Sequence, residues 1–459
     1  MRITLLVRPT RDRTAHSRVG TLLLSDAFTP LRNALGPLMP ATLLRRIDVV
    51  SGDLAGLQPR GPGAPAPLKL PDGIDTVIHS ASNVDFDDDL ATAFAANVEG
   101  PAALYRALSG YGGSPHVIHV STAYVNAGRV RVGLEQAVSH DVDWQLELAG
   151  LRENPALATD QAAGRRHARR QGWTDTYTFS KALGERVAEE CWAQRGHRLT
   201  VLRPAIIESA LARPFPGWLD GFKVADPLIA AYAEGRLTDF PGRARGVIDI
   251  VPVDAVVDTV LAAMSRPPLS GRPRYLQVAS SRVNPLRLRE IEPHVSASLT
   301  ERGWPEGNDR QRPMRYHSRL RILAGMSLAR GRVKALSALR GADAQTRAQK
   351  RVLDRISKYV ELYAPYTCNP TTFDMTGTSA LLQTLREAGR RTVDLGELDW
   401  GHYLSDVHVP ALGAQRRWWP EPVDFTAAAV TRQAQVAARV AAGHTLTSMR
   451  DEAMHRLAG

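Results

Sequence analysis

Over roughly the first 290 residues, short β-rich runs alternate with longer stretches of helical periodicity, and few folds accommodate that alternation. Strands separated by helices must pair in parallel, with the helices covering the sheet's faces. The candidate strands are Arg2–Val7, Arg46–Val50, Thr76–Ser80, Val117–Ser121, Leu199–Arg203 and Tyr275–Val278, with helical stretches between them, notably Leu90–Leu108 and Thr178–Arg195. Runs as apolar as Val117-Ile-His-Val120 belong in a sheet buried on both sides. The expected fold class is therefore α/β, a doubly wound parallel sheet. From about 291 to 355 the chain turns Arg-rich, with Leu320, Leu323, Val333, Leu336 and Leu339 at roughly helical spacing. Residues 356–459 carry aromatic and Pro-rich stretches such as Tyr363-Ala-Pro-Tyr366 and Trp418-Trp-Pro420. The reading thus divides the chain into residues 1–290, a doubly wound α/β domain, 291–355, a basic helical connector, and 356–459, a mainly helical C-terminal region.

Composition narrows the class further. With 459 residues, 44% hydrophobic and 23% charged, the chain has enough apolar side chains for a large core and is neither disordered nor fibrous. Two cysteines, Cys191 and Cys368, are too few for a disulfide scaffold or a multi-cysteine metal site. No apolar run approaches the ~18 residues of a membrane span, and the opening Met1–Arg8 is too short a run for a secretory signal, so the expected location is cytoplasmic. The formal charge is +11, yet between Arg310 and Lys358 there are 14 basic residues against Asp343 and Asp354, a local +12, leaving about −1 elsewhere. A patch so concentrated is expected to meet something anionic, either lipid headgroups of a membrane surface or the phosphates of a substrate. No helix-turn-helix or aromatic-and-basic stacking platform points to nucleic acid.

The chemistry-bearing signal is Tyr177-Thr-Phe-Ser-Lys181, at the start of a helix and downstream of a strand that runs into Ser121-Thr122. Positions i and i+4 share a helix face, so hydroxyl and ammonium can point into one cleft. A cation beside a phenol favours the phenolate, and the expectation is a Tyr177 pKa lowered by Lys181. A hydroxyl at a strand's C-terminal end lies where doubly wound folds bind ligands and can hold a carbonyl oxygen. Other features carry less. His116 and His119 are three apart on a strand and face opposite sides, so no metal site is expected from them. Asp85-Phe-Asp-Asp-Asp89 precedes a helix that it can cap. Cys191 lies 14 residues past Tyr177, roughly 21 Å along the helix, too far for a shared covalent mechanism. Arg165–Arg170 reads as a solvated loop.

These residues, with Val77-Ile-His-Ser-Ala-Ser82, His119-Val-Ser-Thr-Ala-Tyr-Val-Asn126, Leu202-Arg-Pro204, Pro214-Phe-Pro-Gly-Trp218 and Asp249-Ile-Val-Pro-Val-Asp254, resemble those of extended short-chain dehydrogenase/reductases. More specifically, the chain resembles the alcohol-forming fatty acyl-CoA reductases of the male-sterility type. Leu362-Tyr-Ala-Pro-Tyr366, Phe373-Asp374, Asp399-Trp400 and Val407-His-Val-Pro410 extend the resemblance through the C-terminal region.

The resemblance implies NADPH as cofactor and a long-chain fatty acyl-CoA, or the same acyl group on acyl-carrier protein, as substrate, reduced to aldehyde and on to alcohol. By position, Thr122 takes the carbonyl-binding role, with Ser121 as the alternative; Tyr177 is the proton donor, and Lys181 holds the nicotinamide ribose. Arg8 matches the residue that reads the 2′-phosphate, Asp53 and Leu54 the adenine-side turn, and Ala81, Ser82, Asn97 and Pro204 the lining of the cofactor cleft. One departure stands out. Arg8-Pro-Thr-Arg-Asp-Arg13 follows the first strand with no glycine, and the first Gly is Gly20. The run Ile3–Val7 therefore corresponds to the family's second strand, and the central first strand with its phosphate-binding turn is expected to be missing from the sheet. The expected explanation is a misplaced start at Met1, against a true truncation that holds NADPH weakly. The rival functions are another extended short-chain reductase, of sterol or sugar-nucleotide type, and a non-catalytic binding protein.

Overall fold

The computed structural model describes residues 1–57, 68–110, 113–222, 225–235, 239–302, 313–318 and 363–416, with scattered positions between 321 and 354. The parallel strands form where the apolar runs lie, each within one residue of its expected limits: β1 (Ile3–Val7), β2 (Ile47–Ser51), β3 (Thr76–His79), β4 (His116–Val120), β5 (Leu199–Pro204) and, beyond the short strands β6 (Ile206–Glu208) and β7 (Ile250–Pro252), β8 (Arg274–Val278). They assemble as two separate parallel pieces. β1 pairs with β2, Ile3 opposite Ile47, while the second sheet has the order β8-β5-β4-β3, with β7 on β6 beside it. Among the described residues no strand bridges β1 and β3. The burial follows this split: β5 is buried throughout, but Ile78 on β3 is 47% exposed and Ile3 on β1 is 40% exposed. The described residues thus form the α/β arrangement as two parallel pieces, with no strand between β1 and β3.

Local capping fixes the helices that cover the sheet. Asp89 accepts from Thr92 N at 2.7 Å to start α1 (Leu90–Phe94), so the acidic run caps as expected. A π-helical turn, Ala95–Glu99, interrupts the predicted long helix before α2 (Gly100–Ser109). Asp175 accepts from Thr178 N at 2.7 Å and starts α3 (Thr176–Cys191). α3 lies against the π-turn so closely that a Cβ on Gly184 would stand 2.3 Å from the Asn97 carbonyl oxygen, a contact only glycine permits. Arg165–Arg170 is not the expected loop. Asp160 caps a helix over Gln161–Arg170, and Arg165 pairs with Asp87 at 2.9 Å, both largely enclosed.

A second set of elements shares a core with the opposite face of the sheet: α4 (Asp226–Ala233), α5 (Val253–Ser265), α6 (Leu288–Glu301), α7 (Thr376–Glu387), a π-turn Tyr403–His408 and α8 (Val409–Arg416). Their side chains Val295, Tyr403, Leu404 and Leu412 share one core with Ile118, Leu202 and Val278 of the sheet. Two carboxylates organise the junction. Asp254 accepts from Leu211, Ala212 and Arg213 amides, at 2.9–3.1 Å, and so holds the loop that leads into Pro214-Phe-Pro-Gly-Trp218. Gly217 there has φ 80° and lies against Ala411 and the Val407 carbonyl, where a side chain would crowd. The wholly buried Arg203 is held by Glu185 at 2.6 and 2.9 Å and covers the Tyr275 ring. Most of the basic stretch Arg310–Lys358, and Trp418-Trp-Pro420, lie outside the described residues.

Candidate active site

At the C-terminal end of β4 the chain presents Ser121 and Thr122, and α3 brings Tyr177 and Lys181 to the same place. Thr122 stands next to the Tyr177 hydroxyl, donates to the Pro204 carbonyl at 3.3 Å and accepts from Tyr124 N at 3.3 Å. Ser121 Oγ, by contrast, is buried with no hydrogen-bond partner. The structure therefore brings Thr122, not Ser121, together with Tyr177.

Lys181 is 3% exposed, and its Nζ donates to the Val120 carbonyl at 2.6 Å and to Ser82 Oγ at 3.3 Å. Ser82 passes the chain on to Asn97 Oδ1 at 2.8 Å, and Asn97 Nδ2 donates to Ser180 Oγ at 3.0 Å. This network joins Ser82, just beyond β3, to Asn97 inside the π-turn, while the exposed Ala81 beside Ser82 takes no part in it. Burial lowers the Lys181 ammonium to about 8, against the opposing pull of Glu185. The expectation for Tyr177 is corrected. Its hydroxyl is pushed up rather than down, first by burial and then by Asp175, with the neighbouring Thr122 hydroxyl as the counterweight. The reason is geometric: the Lys181 ammonium is spent on a backbone carbonyl and Ser82 instead of facing the phenol.

Around Tyr177 lies an aromatic wall that sequence reasoning did not anticipate. Phe86 stands edge-on to Tyr177 with centroids 5.2 Å apart, Tyr366 packs on Phe86 at 4.9 Å, and Tyr124 packs on Tyr366 at 4.7 Å. Tyr366 Oη donates to Asp175 Oδ2 at 3.1 Å, so the C-terminal Tyr363-Ala-Pro-Tyr366 reaches the candidate site through its last residue. Behind Lys181, His79 and His119 stack at 5.1 Å, and Tyr105 Oη meets His119 Nδ1 at 2.6 Å. Burial first, with the Lys181 charge assisting, lowers His79 to about 3 and His119 well below its ordinary value, so both rings are neutral. Spacing alone could not have found these contacts, which join residues far apart in the chain.

The remaining predicted residues form a second cluster at the ends of β1 and β2. Arg8 Nε lies 3.5 Å from Asp53 Oδ2, and Asp53 Oδ1 accepts from Gly56 N at 3.1 Å as the turn Leu54–Leu57 begins. Leu54 packs beside Gly100 at the start of α2. Polar groups of the kind a dinucleotide needs thus stand at two sets of strand ends, a guanidinium and a carboxylate at one and Ser82, Asn97 and Lys181 at the other. Between them, the amides of a glycine-rich turn are not among the described residues. A cavity of about 350 Å³ lined by Ala55, Gly100, Arg106, Trp144 and Arg152 holds none of the expected cofactor residues.

A parallel sheet with a Tyr and a Lys on the helix that follows β4, facing a strand-end threonine, defines an oxidoreductase of the extended short-chain dehydrogenase/reductase class. The chain belongs to the male sterility protein family, whose family model matches residues 1–260. It is 26% identical to fatty acyl-CoA reductase 2, chloroplastic, of Arabidopsis thaliana, over 90% of this chain and 73% of that protein. It is 25% identical to the alcohol-forming fatty acyl-CoA reductase of Simmondsia chinensis, over 90% of each chain. Among solved structures, the terminal R domain of the myxalamid PKS-NRPS biosynthetic pathway shares the fold, with a TM-score of 0.55 at 17% identity over 92% of this chain and 86% of that one.

Proposed function

We propose that the protein reduces a long-chain fatty acyl thioester, acyl-CoA or acyl-carrier protein, with NADPH, first to the aldehyde and then to the alcohol. The observation that carries this reading is the Thr122–Tyr177 hydroxyl pair, side by side at a strand end, with the buried Lys181 one turn further along the same helix. A bound nicotinamide supplies the hydride, one for each reduction. The chain's own residues manage the oxygen. Thr122 Oγ1 and Tyr177 Oη donate to the carbonyl oxygen and stabilise the charge that develops on it. In the first reduction, collapse of the resulting alkoxide breaks the carbon–sulfur bond and the thiolate takes up a proton as it leaves. In the second, Tyr177 Oη transfers its proton to the alkoxide oxygen of the nascent alcohol. Lys181, with Ser82 and Asn97, holds the nicotinamide ribose, and Arg8 reads the 2′-phosphate, with Asp53 and Leu54 on the adenine side, while Ala81 and Pro204 line the cleft.

The aromatic wall of Phe86, Tyr124 and Tyr366 supports an apolar substrate, since it removes water from around Tyr177. Between α4 and α6 lies an apolar crevice lined by Leu228, Ile229, Tyr232, Ile248, Leu288 and Ile291, with free space of about 20 Å³, room for a single water. An acyl chain entering there has to displace α4. Among the described residues no helix is long and apolar enough to cross a membrane, and a cytoplasmic enzyme working at an anionic membrane surface through residues 291–355 completes the reading. The division into residues 1–290, 291–355 and 356–459 belongs to the same proposal.

The test is the reaction itself: NADPH oxidation followed at 340 nm with palmitoyl-CoA, and separately with a sugar nucleotide and a sterol, with products identified by gas chromatography. The expected result is two NADPH consumed per acyl-CoA, with hexadecanol as product. Turnover of the sugar nucleotide or sterol with none of palmitoyl-CoA would replace the reading. Arg8→Ala is expected to raise KM for NADPH roughly tenfold or more and leave KM for NADH unchanged, the loss of one charge-assisted contact.

A further inference from the structure

Away from Tyr177, three side chains from distant parts of the sequence meet in the core. Glu208 ends β6, Asp226 opens α4, and His408 closes the π-turn that leads into α8. Their side chains are 0% exposed. His408 Nε2 lies 3.2 Å from Asp226 Oδ1 and 3.8 Å from Glu208 Oε2, and one donor atom from each residue falls within 4.8 Å of the other two. Both Glu208 oxygens and His408 Nε2 are buried without a hydrogen-bond partner.

We propose that Glu208, Asp226 and His408 form a closed site for a divalent transition-metal ion, zinc by its donor set, which ties the C-terminal helices to the reductase sheet. Two carboxylates side by side out of water are costly unless a positive charge sits between them. A dication with one imidazole and two carboxylates neutralises that charge and gives the idle Glu208 oxygens and Nε2 a partner. An imidazole with so few oxygens suits zinc and not calcium or magnesium, which take six or more oxygens or keep their own waters. Glu208 has both oxygens available, so its bidentate use with Asp226 Oδ1 and His408 Nε2 makes the four donors of a structural site.

The surroundings hold the imidazole ready. His408 Nδ1 meets Ser209 Oγ at 3.0 Å, which fixes the ring and leaves Nε2 aimed at the carboxylates. The Tyr403 ring stacks on it at 5.8 Å, 18° from parallel, and Tyr403 Oη donates to the Ser209 carbonyl at 2.8 Å. Each ligand comes from a different element, so the ion crosslinks β6, α4 and the C-terminal π-turn. The site is independent of the proposed reaction and does not touch Tyr177 or Lys181.

The test is metal content by plasma mass spectrometry on the full chain, purified without a histidine tag after growth with zinc, together with thermal melting. About one zinc per chain is expected, and Glu208→Gln, which keeps the side chain's shape, should lose it at least tenfold while retaining the circular dichroism of the parent. Should that variant fail to fold, the unmodified chain decides: a strong chelator must lower its melting point, and added zinc must restore it. Unmodified protein that is metal-free and melts the same with chelator or zinc overturns the proposal, and means a proton shared between Glu208 and Asp226. Zinc retained in full by folded Glu208→Gln overturns it equally.

Discussion

Thr122 and Ser121 are adjacent hydroxyls at one strand end, and only Thr122 is turned onto Tyr177. Thr122→Ala should therefore cut kcat by roughly tenfold to a hundredfold, the loss of one oxyanion donor of two, whereas Ser121→Ala should change it by less than about threefold. Steady-state kinetics on both variants check this, and a larger effect at Ser121 would put the wrong hydroxyl in the site. Lys181 gives the pH dependence. Its ammonium titrates near 8 in the folded protein, below the ordinary 10.5, so the charge that holds the ribose fades as pH rises through 8. The expectation is kcat/KM for NADPH falling above pH 8. The stability consequence has the opposite sense: between about 8 and 10.5 the unfolded chain binds the proton that the folded chain has released, so the contribution of Lys181 to stability rises with pH. Tyr177 and Lys181 were legible because a four-residue spacing survives in any helix. The phenol's raised pKa was not, because it depends on where the Lys181 ammonium bonds and on how closely Phe86 and Asp175 enclose the ring.

The strands were legible almost to the residue, since apolar runs bounded by turn residues report burial directly, as the full burial of β5 shows. Helix interruptions were not: the π-turn Ala95–Glu99 arises where α3 presses on it through Gly184, a tertiary contact with no local signature. The glycine-free turn Arg8–Arg13 after the first strand did announce the two-piece sheet of the described residues. That division makes two similar isoleucines unequal. Ile118 on β4 is fully buried, while Ile78 on β3 is 47% exposed. Ile118→Ala should cost about 2–5 kcal/mol and Ile78→Ala under about 1 kcal/mol, measured by denaturant unfolding. Equal costs would mean that the outer edge of β3 is covered in solution.

Across the whole molecule, the C-terminal region supplies Tyr366 to the wall beside Tyr177, Gly217 meets Ala411, and His408 reaches Glu208 and Asp226, so the region is joined to the sheet at three separate places. All three draw on motifs that stood out in the sequence, Tyr363–Tyr366, Pro214–Trp218 and Val407–Pro410, but none of these motifs disclosed its partner. The third joins residues 18 and 182 positions apart, a separation no pattern encodes. The central proposal is that this assembled site takes an acyl thioester to the alcohol, with Tyr177 Oη donating to the reacting oxygen and giving its proton to the alcohol. Its most direct test is Tyr177→Phe, with palmitoyl-CoA turnover and NADPH affinity both measured on the variant and its parent. General acid catalysis is worth about 10²–10⁴-fold, so turnover should fall by at least about a hundredfold with NADPH affinity unchanged. A fall of less than about tenfold, with NADPH still bound, would contradict it.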